Sequence, residues 1–191
     1  MDPKASSLLS DADPPSHIVY PCADENLIAE AVGTFASSGL SKGDAVVLVT
    51  TEPRRKVIER RLEVDGFDIH ALQSNGQLAV LDAATLLSAF MADGMPDALI
   101  FKNSVGRIIE KASLNPADGQ PRKVRIFGEM VSLLYIGSNV PAAARLEEFW
   151  NEMVQAHSIS LFCAYSLKVD SDRLPQALLD AHSHDLSSVV N

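Results

Sequence analysis

Four apolar runs in this chain end on side chains able to do chemistry. VRIFGEM (124–130) reaches Glu129, and HIVYPCADEN (17–26) runs into Cys22, Asp24 and Glu25. AVVLVTTE (45–52) runs into Thr50, Thr51 and Glu52, and SLFCAYS (160–166) into Cys163, Tyr165 and Ser166. A carboxylate can set the polarity of a pocket, hold a donor or move a proton. Phenols supply flat walls and hydroxyls, and a thiol supplies a soft apolar contact. Burying a lone carboxylate is costly. A strand that finishes on one is therefore expected to deliver it to an edge, where solvent or a ligand meets it.

Other reactive residues weigh differently. Cys22 and Cys163 end separate strands and would suit a redox pair or a metal site with histidine. No CxxC or HxxxH spacing supports that. A buried cysteine ordinarily acts as a small apolar residue, so no metal is expected. His182 and His184 form an HxH pair in AHSHD (181–185). On a helix their rings diverge by about 200°, and a helix end is their plain placement. His17 and His157 precede strands and read as boundary residues. Leu146, Phe149, Trp150 and Met153 form a helical stripe of core type. Tyr20 and Tyr165, near strand ends, are better pocket candidates. Arg54, Arg55, Lys56, Arg60 and Arg61 form a basic cluster. Glu52, Glu59 and Glu63 balance it at helical spacing, so it reads as a solvated helix face.

The elements that must position these groups alternate. Strands are expected at Ile18–Cys22, Ala45–Thr50, Leu78–Leu81, Val124–Phe127 and Ile159–Tyr165, with a short one near Phe67–Ile69. Helices are expected at Leu27–Ser38, from Pro53 to about Asp65, at Ala83–Met91, Asp97–Ala112, Val131–Tyr135, Pro141–His157 and Leu174–His182. Asn115–Pro121 reads as a loop. Strand–helix alternation predicts an α/β three-layer sandwich: a mostly parallel central sheet with helices on both faces. In such sheets ligands bind outside the carboxyl ends of the strands. Residues 1–16, rich in Ser, Asp and Pro, read as a flexible tail, and 17–191 as one domain.

The chain has 191 residues, 47% apolar, with a net charge of −9. That is enough for a real core, and the acidity argues against direct nucleic-acid binding. No signal peptide and no run of the ~20 apolar residues that a bilayer needs is visible. With two cysteines far apart, a cytoplasmic protein with free thiols is expected.

HIVYPCADENLIAEAVGTFASSGLSKGDAVVLVTTEPRRKVIERRLEVDGFDI, then GQLAVLDA, RIFGEMVSLLYIG, ARLEEFWNEM and SLFCAYS, together resemble the MEDS domain, the DcmR-like sensory domain. The resemblance spans roughly residues 16–186 and down to AHSHD. It implies a RecA/KaiC-like fold and a sensory role in binding small, hydrocarbon-derived molecules. Members often sit beside a helix-turn-helix or histidine-kinase module, and neither is present in these residues. The resemblance also favours His182 near the pocket. A nucleotide loop needs glycines, a Lys and a Ser/Thr. PCADEN, after the first strand, has no glycine or lysine and carries two acids, which repel phosphates.

The resulting expectation is a non-enzymatic sensory module without a cofactor. It would bind a small molecule through Tyr20, Cys22, Asp24, Thr50, Glu129, Tyr165 and His182. It would relay the change to a signalling protein such as a histidine kinase or transcription regulator. Two-fold self-association would fit such a role, although no residue demands it. A divergent ATPase using Glu129 to orient water, and a ligand-free interaction module, are the competing readings.

Overall fold

Parallel strands buried on both faces organise the molecule. The computed structural model describes residues 1–115, 117, 119–169 and 172–186. In chain order the elements are α1 (Pro3–Ser10), β1 (Ser16–Cys22), α2 (Glu25–Ser41), β2 (Ala45–Thr50), α3 (Glu52–Val64) and α4 (Ile69–Ser74). Next come β3 (Leu78–Asp82), α5 (Ala83–Ser88), β4 (Met91–Ala92), β5 (Met95–Pro96) and α6 (Ala98–Ser113). The last are β6 (Val124–Gly128), α7 (Met130–Ile136), α8 (Val140–His157), β7 (Ser160–Ser166), α9 (Gln176–Leu179) and β8 (His184–Asp185). Six of the strands form one sheet in the order β3-β2-β6-β7-β1-β8, and every pairing in it is parallel.

The period-two alternation of the strands splits the core in two. Ile18, Tyr20, Val46, Leu48, Phe127 and Phe162 face α1 to α4, packing on Ile28, Val32 and Phe35 of α2. Val19, Val47, Val49, Ile126, Leu161, Cys163 and Tyr165 face the other layer, where Phe101 of α6 and Leu146, Phe149 and Trp150 of α8 close over them. The three-layer α/β architecture expected from the sequence is the observed one.

Local departures have local causes. Residues 3–10, expected as part of a flexible tail, form α1, with Ala5 and Leu9 buried. Asp2 caps that helix by accepting from the Lys4 N–H, and Pro3 starts it. Its carboxyl end is held by the buried guanidinium of Arg125, which donates to the carbonyls of Leu9 (3.0 Å) and Ser10 (3.1 Å). The same group bonds Asp44 at 2.8 Å. The strand expected near Phe67–Ile69 is absent from the described residues, because Asp68 accepts from the Ala71 N–H and opens α4. The helix expected to run to Met91 stops at Ser88, and β4 and β5 form a hairpin instead. Asp93 and Gly94 turn it with φ of 48° and 80°, an Asp-Gly hairpin signal. Of the helix expected at Leu174–His182, only Gln176–Leu179 is helical. No helix among the described residues is long and apolar enough to cross a membrane.

Candidate functional site

At the carboxyl end of β6 the chain enters α7 through Glu129, a buried residue. Its carboxylate accepts from the Thr50 hydroxyl at 2.8 Å and from the Thr51 N–H at 2.7 Å. The Thr51 hydroxyl adds a bond at 3.1 Å. Arg54, in the first turns of α3, places Nη1 2.9 Å from Oε1 of Glu129. Arg54 belongs to the basic cluster expected to be solvated, yet it is buried. It turns inward because two carboxylates converge on it. Its Nη2 also donates to Glu25 at the start of α2 and to the Ser166 hydroxyl at 2.9 Å, and Ser166 donates to Glu25 at 2.7 Å. This network therefore ties together the carboxyl ends of β1, β2, β6 and β7. Burial would raise the Glu25 carboxyl, but hydrogen bonds from Arg54 and Ser166 hold it below the usual carboxylate range. The Arg54 Nε is buried and has no hydrogen-bond partner among the described residues.

Asp24 caps α2, its carboxylate accepting from the Asn26 N–H at 2.8 Å. In a phosphate-binding loop this helix end would offer free N–H groups and a positive dipole to an anion. Here a carboxylate already occupies it, and Glu25 follows in the first turn. Cys22 is half-buried, with its thiol 3.6 Å from the Asp24 carbonyl. A wide-open surface depression of about 440 Å³ lies beside these residues, lined by Ala23, Asp24, Glu25, Lys168 and Val169. A second, of about 490 Å³, lies between α6 and α8, away from the strand ends. Tyr20 faces α2 and is buried. Burial, with Cys22 beside it, raises its phenol well above the usual range.

Tyr165 and His182 belong elsewhere. They meet Glu147, a fully buried carboxylate on the inner face of α8. The Tyr165 hydroxyl donates to Oε1 at 2.5 Å. His182 Nε2 lies 3.3 Å from Oε1, and His17 Nε2 lies 3.2 Å from Oε2. Cys163 completes the group, its sulfur 3.4 Å from His17 Nε2 and 3.8 Å from Oε2. Burial opposes ionisation of Glu147, but the two imidazoles prevail and hold it well below the usual range. Burial, then the Glu147 charge, pushes the Cys163 thiol well up. The same two causes raise the Tyr165 phenol.

The expected residues thus divide. Asp24, Cys22, Thr50 and Glu129 lie along the carboxyl edge. Tyr165 and His182 lie in the second cluster, and Tyr20 lies in the layer packed on α2. Sequence reasoning missed Arg54, Glu25 and Ser166 as partners of Glu129. It also missed Glu147, and it took His17 for a boundary residue. A signal for Glu147 was present: Ala143, Glu147, Trp150 and Val154 recur at i, i+4, i+7 and i+11, which puts the acid on the buried face. The placement of His17 follows from register. In β1 it is two residues before Val19, which pairs with Cys163, so imidazole and thiol share one face.

Among solved structures, the chain is similar to the crystal structure of a KaiC-like protein from the hyperthermophilic archaeon Pyrococcus horikoshii OT3. The TM-score is 0.57 at 13% identity, over 88% of this chain and 70% of that one. The likeness shows a shared RecA/KaiC-type fold. No curated protein matches the sequence. The family described as MEDS, MEthanogen/methylotroph, DcmR Sensory domain, matches residues 16–183. With that span of matched residues, carried on a KaiC-like parallel sheet, this chain belongs to the MEDS sensory-domain family.

Proposed function

We propose that this chain is a non-enzymatic sensory module. It takes up a small molecule at the carboxyl edge of the sheet and passes the change to a partner regulator or histidine kinase. The observation that carries this reading is the Glu129–Arg54–Glu25 network. It ties four strand ends together beside an open depression of about 440 Å³, and the buried Arg54 Nε has no hydrogen-bond partner among the described residues. A ligand that offers an acceptor to this guanidinium would compete with the two carboxylates and shift α3 against α2 and α7. The family's sensory description supports the same role.

The test is thermal unfolding of the full chain against short alcohols, ketones, carboxylic acids and haloalkanes, with Glu129→Gln alongside. A rise in Tm with one class, lost in the variant, is the expected result. Equal responses in both proteins would remove Glu129 from the ligand response. Nucleotide turnover is the second reading, favoured by an acid at a strand end in a KaiC-like fold. Magnesium-dependent ATP hydrolysis that disappears in Glu129→Ala would establish it and overturn the first.

A further inference from the structure

The Glu147 cluster gathers nitrogen, oxygen and sulfur atoms of four side chains around one point. His17 Nδ1 lies 2.9 Å from Asn151 Oδ1. The Asn151 amide is oriented by its own NH₂, which donates to the Ala181 carbonyl at 2.8 Å. His17 Nδ1 must therefore carry the proton. His182 Nδ1 lies 2.7 Å from the Leu178 carbonyl, so it too must donate. With Nδ1 donating, each ring turns its Nε2 toward the same carboxylate. His182 Nε2 has no hydrogen-bond partner in this buried setting. The two Nε2 atoms face different oxygens of that carboxylate, Oε2 and Oε1, with the Cys163 sulfur beside them. A cation seated among these donors would satisfy both rings and the carboxylate together.

The spacing names the kind of cation. Zinc bonds of about 2.0 Å to nitrogen or oxygen and 2.3 Å to sulfur set tetrahedral ligands about 3.3–3.6 Å apart. Four of the separations, taken to one or other carboxylate oxygen, run from 3.2 to 3.8 Å, and one donor atom from each of His17, Glu147, Cys163 and His182 falls within 4.8 Å of every other. Histidine rings whose far nitrogens donate to a carbonyl or amide oxygen are the usual support of metal ligands. We propose that His17, Glu147, Cys163 and His182 form a closed site for a zinc-class divalent ion. On binding, the Cys163 thiol gives its proton to solvent and the thiolate takes its place on the metal. A dication with one carboxylate and one thiolate is then neutral as a whole, which suits a buried site. With four protein donors and no open position, the ion is structural. It fastens His182, and with it the segment between α9 and β8, to the sheet and α8. This site is independent of the carboxyl-edge reading.

The experiment is cobalt(II) titration of the untagged, metal-stripped full chain, followed by absorption and by competition with zinc. The expected result is about one tightly held equivalent, with d–d bands of tetrahedral intensity and a sulfur-to-cobalt charge-transfer band. Cys163→Ser should lose the charge-transfer band and keep the d–d bands, whereas Cys22→Ser should keep both. His182→Gln should weaken binding at least tenfold. The wild-type titration needs no variant to fold. Folded wild-type chain that takes up no cobalt overturns the site, as does a charge-transfer band that survives in Cys163→Ser.

Discussion

Arg54 and Glu129 are 75 residues apart in sequence, yet Nη1 and Oε1 lie 2.9 Å apart, with both side chains buried. The pair joins the start of α3 to the end of β6 across two strand ends. It explains why an apolar strand finishes on an acid: the acid is not released to solvent but is spent on a guanidinium and two threonines.

Removing one partner of such a pair strands the other. Glu129→Ala is expected to destabilise the fold by about 3 kcal/mol, read from urea midpoints. Combined with Arg54→Met, the loss should be clearly less than the sum of the single losses. A coupling energy near zero would mean that the two groups do not act as a pair.

Arg125 makes a different prediction. It holds the carbonyls of Leu9, Ser10 and Phe35 together with the Asp44 carboxylate. Arg125→Met should cost about 3–5 kcal/mol and should release α1 first. Amide hydrogen exchange should therefore rise earliest in residues 3–10. Gly39→Ala tests the same clamp from the other side, because an added Cβ would come 2.6 Å from Arg125 Cδ. Overpacking of that kind costs about 1–3 kcal/mol.

Tyr165→Phe removes a single hydroxyl from Glu147. The fold should survive with a loss of about 1.5–3 kcal/mol, as for a hydrogen bond to a charged group. If the cluster holds a metal, affinity should fall by about 10–100-fold, because the phenol supports a ligand without being one. Unchanged cobalt affinity in Tyr165→Phe would show that the phenol does not tune the carboxylate.

Glu25 gives a pH dependence with a definite sign. Its folded carboxyl sits below its value of 4.5 in the unfolded chain. The unfolded chain thus binds the proton more readily, and the stabilisation is present above that value. It is lost as pH falls through the folded value. The stability gap between wild type and Glu25→Gln should be constant near neutral pH and shrink below about pH 4.5. A gap that widens in acid would reverse the assignment.

Much of the fold was legible because its long strands are mostly apolar runs bounded by turns, although Arg125 interrupts β6. Ala45–Thr50 and Val124–Phe127 leave little choice. The failures were short and cap-driven. Asp2, Asp68 and the Asp93-Gly94 turn each decided a local element through one side chain or one backbone angle, against weak hydrophobic patterning. At the carboxyl edge, Thr50, Glu129 and Asp24 could be found because strand ends mark them. Arg54 could not, since nothing in a run of basic residues says which one turns inward. The Glu147 cluster draws on β1, α8, β7 and the segment after α9. Only the assembled register brings it together.

That register carries a consequence for folding. In β1, His17 points toward α8, while Ile18 points into the layer that contains Ile28 and Phe35. A slip of one position against β7 would exchange the two faces. The imidazole would be pressed among the alkyl and phenyl groups of α2, and the Glu147 carboxylate would face a butyl side chain. Purely apolar strands would tolerate that mispairing far better. The buried acid thus works as a keyway: it admits β1 in a single alignment and rejects the near-miss that a greasy interface would accept.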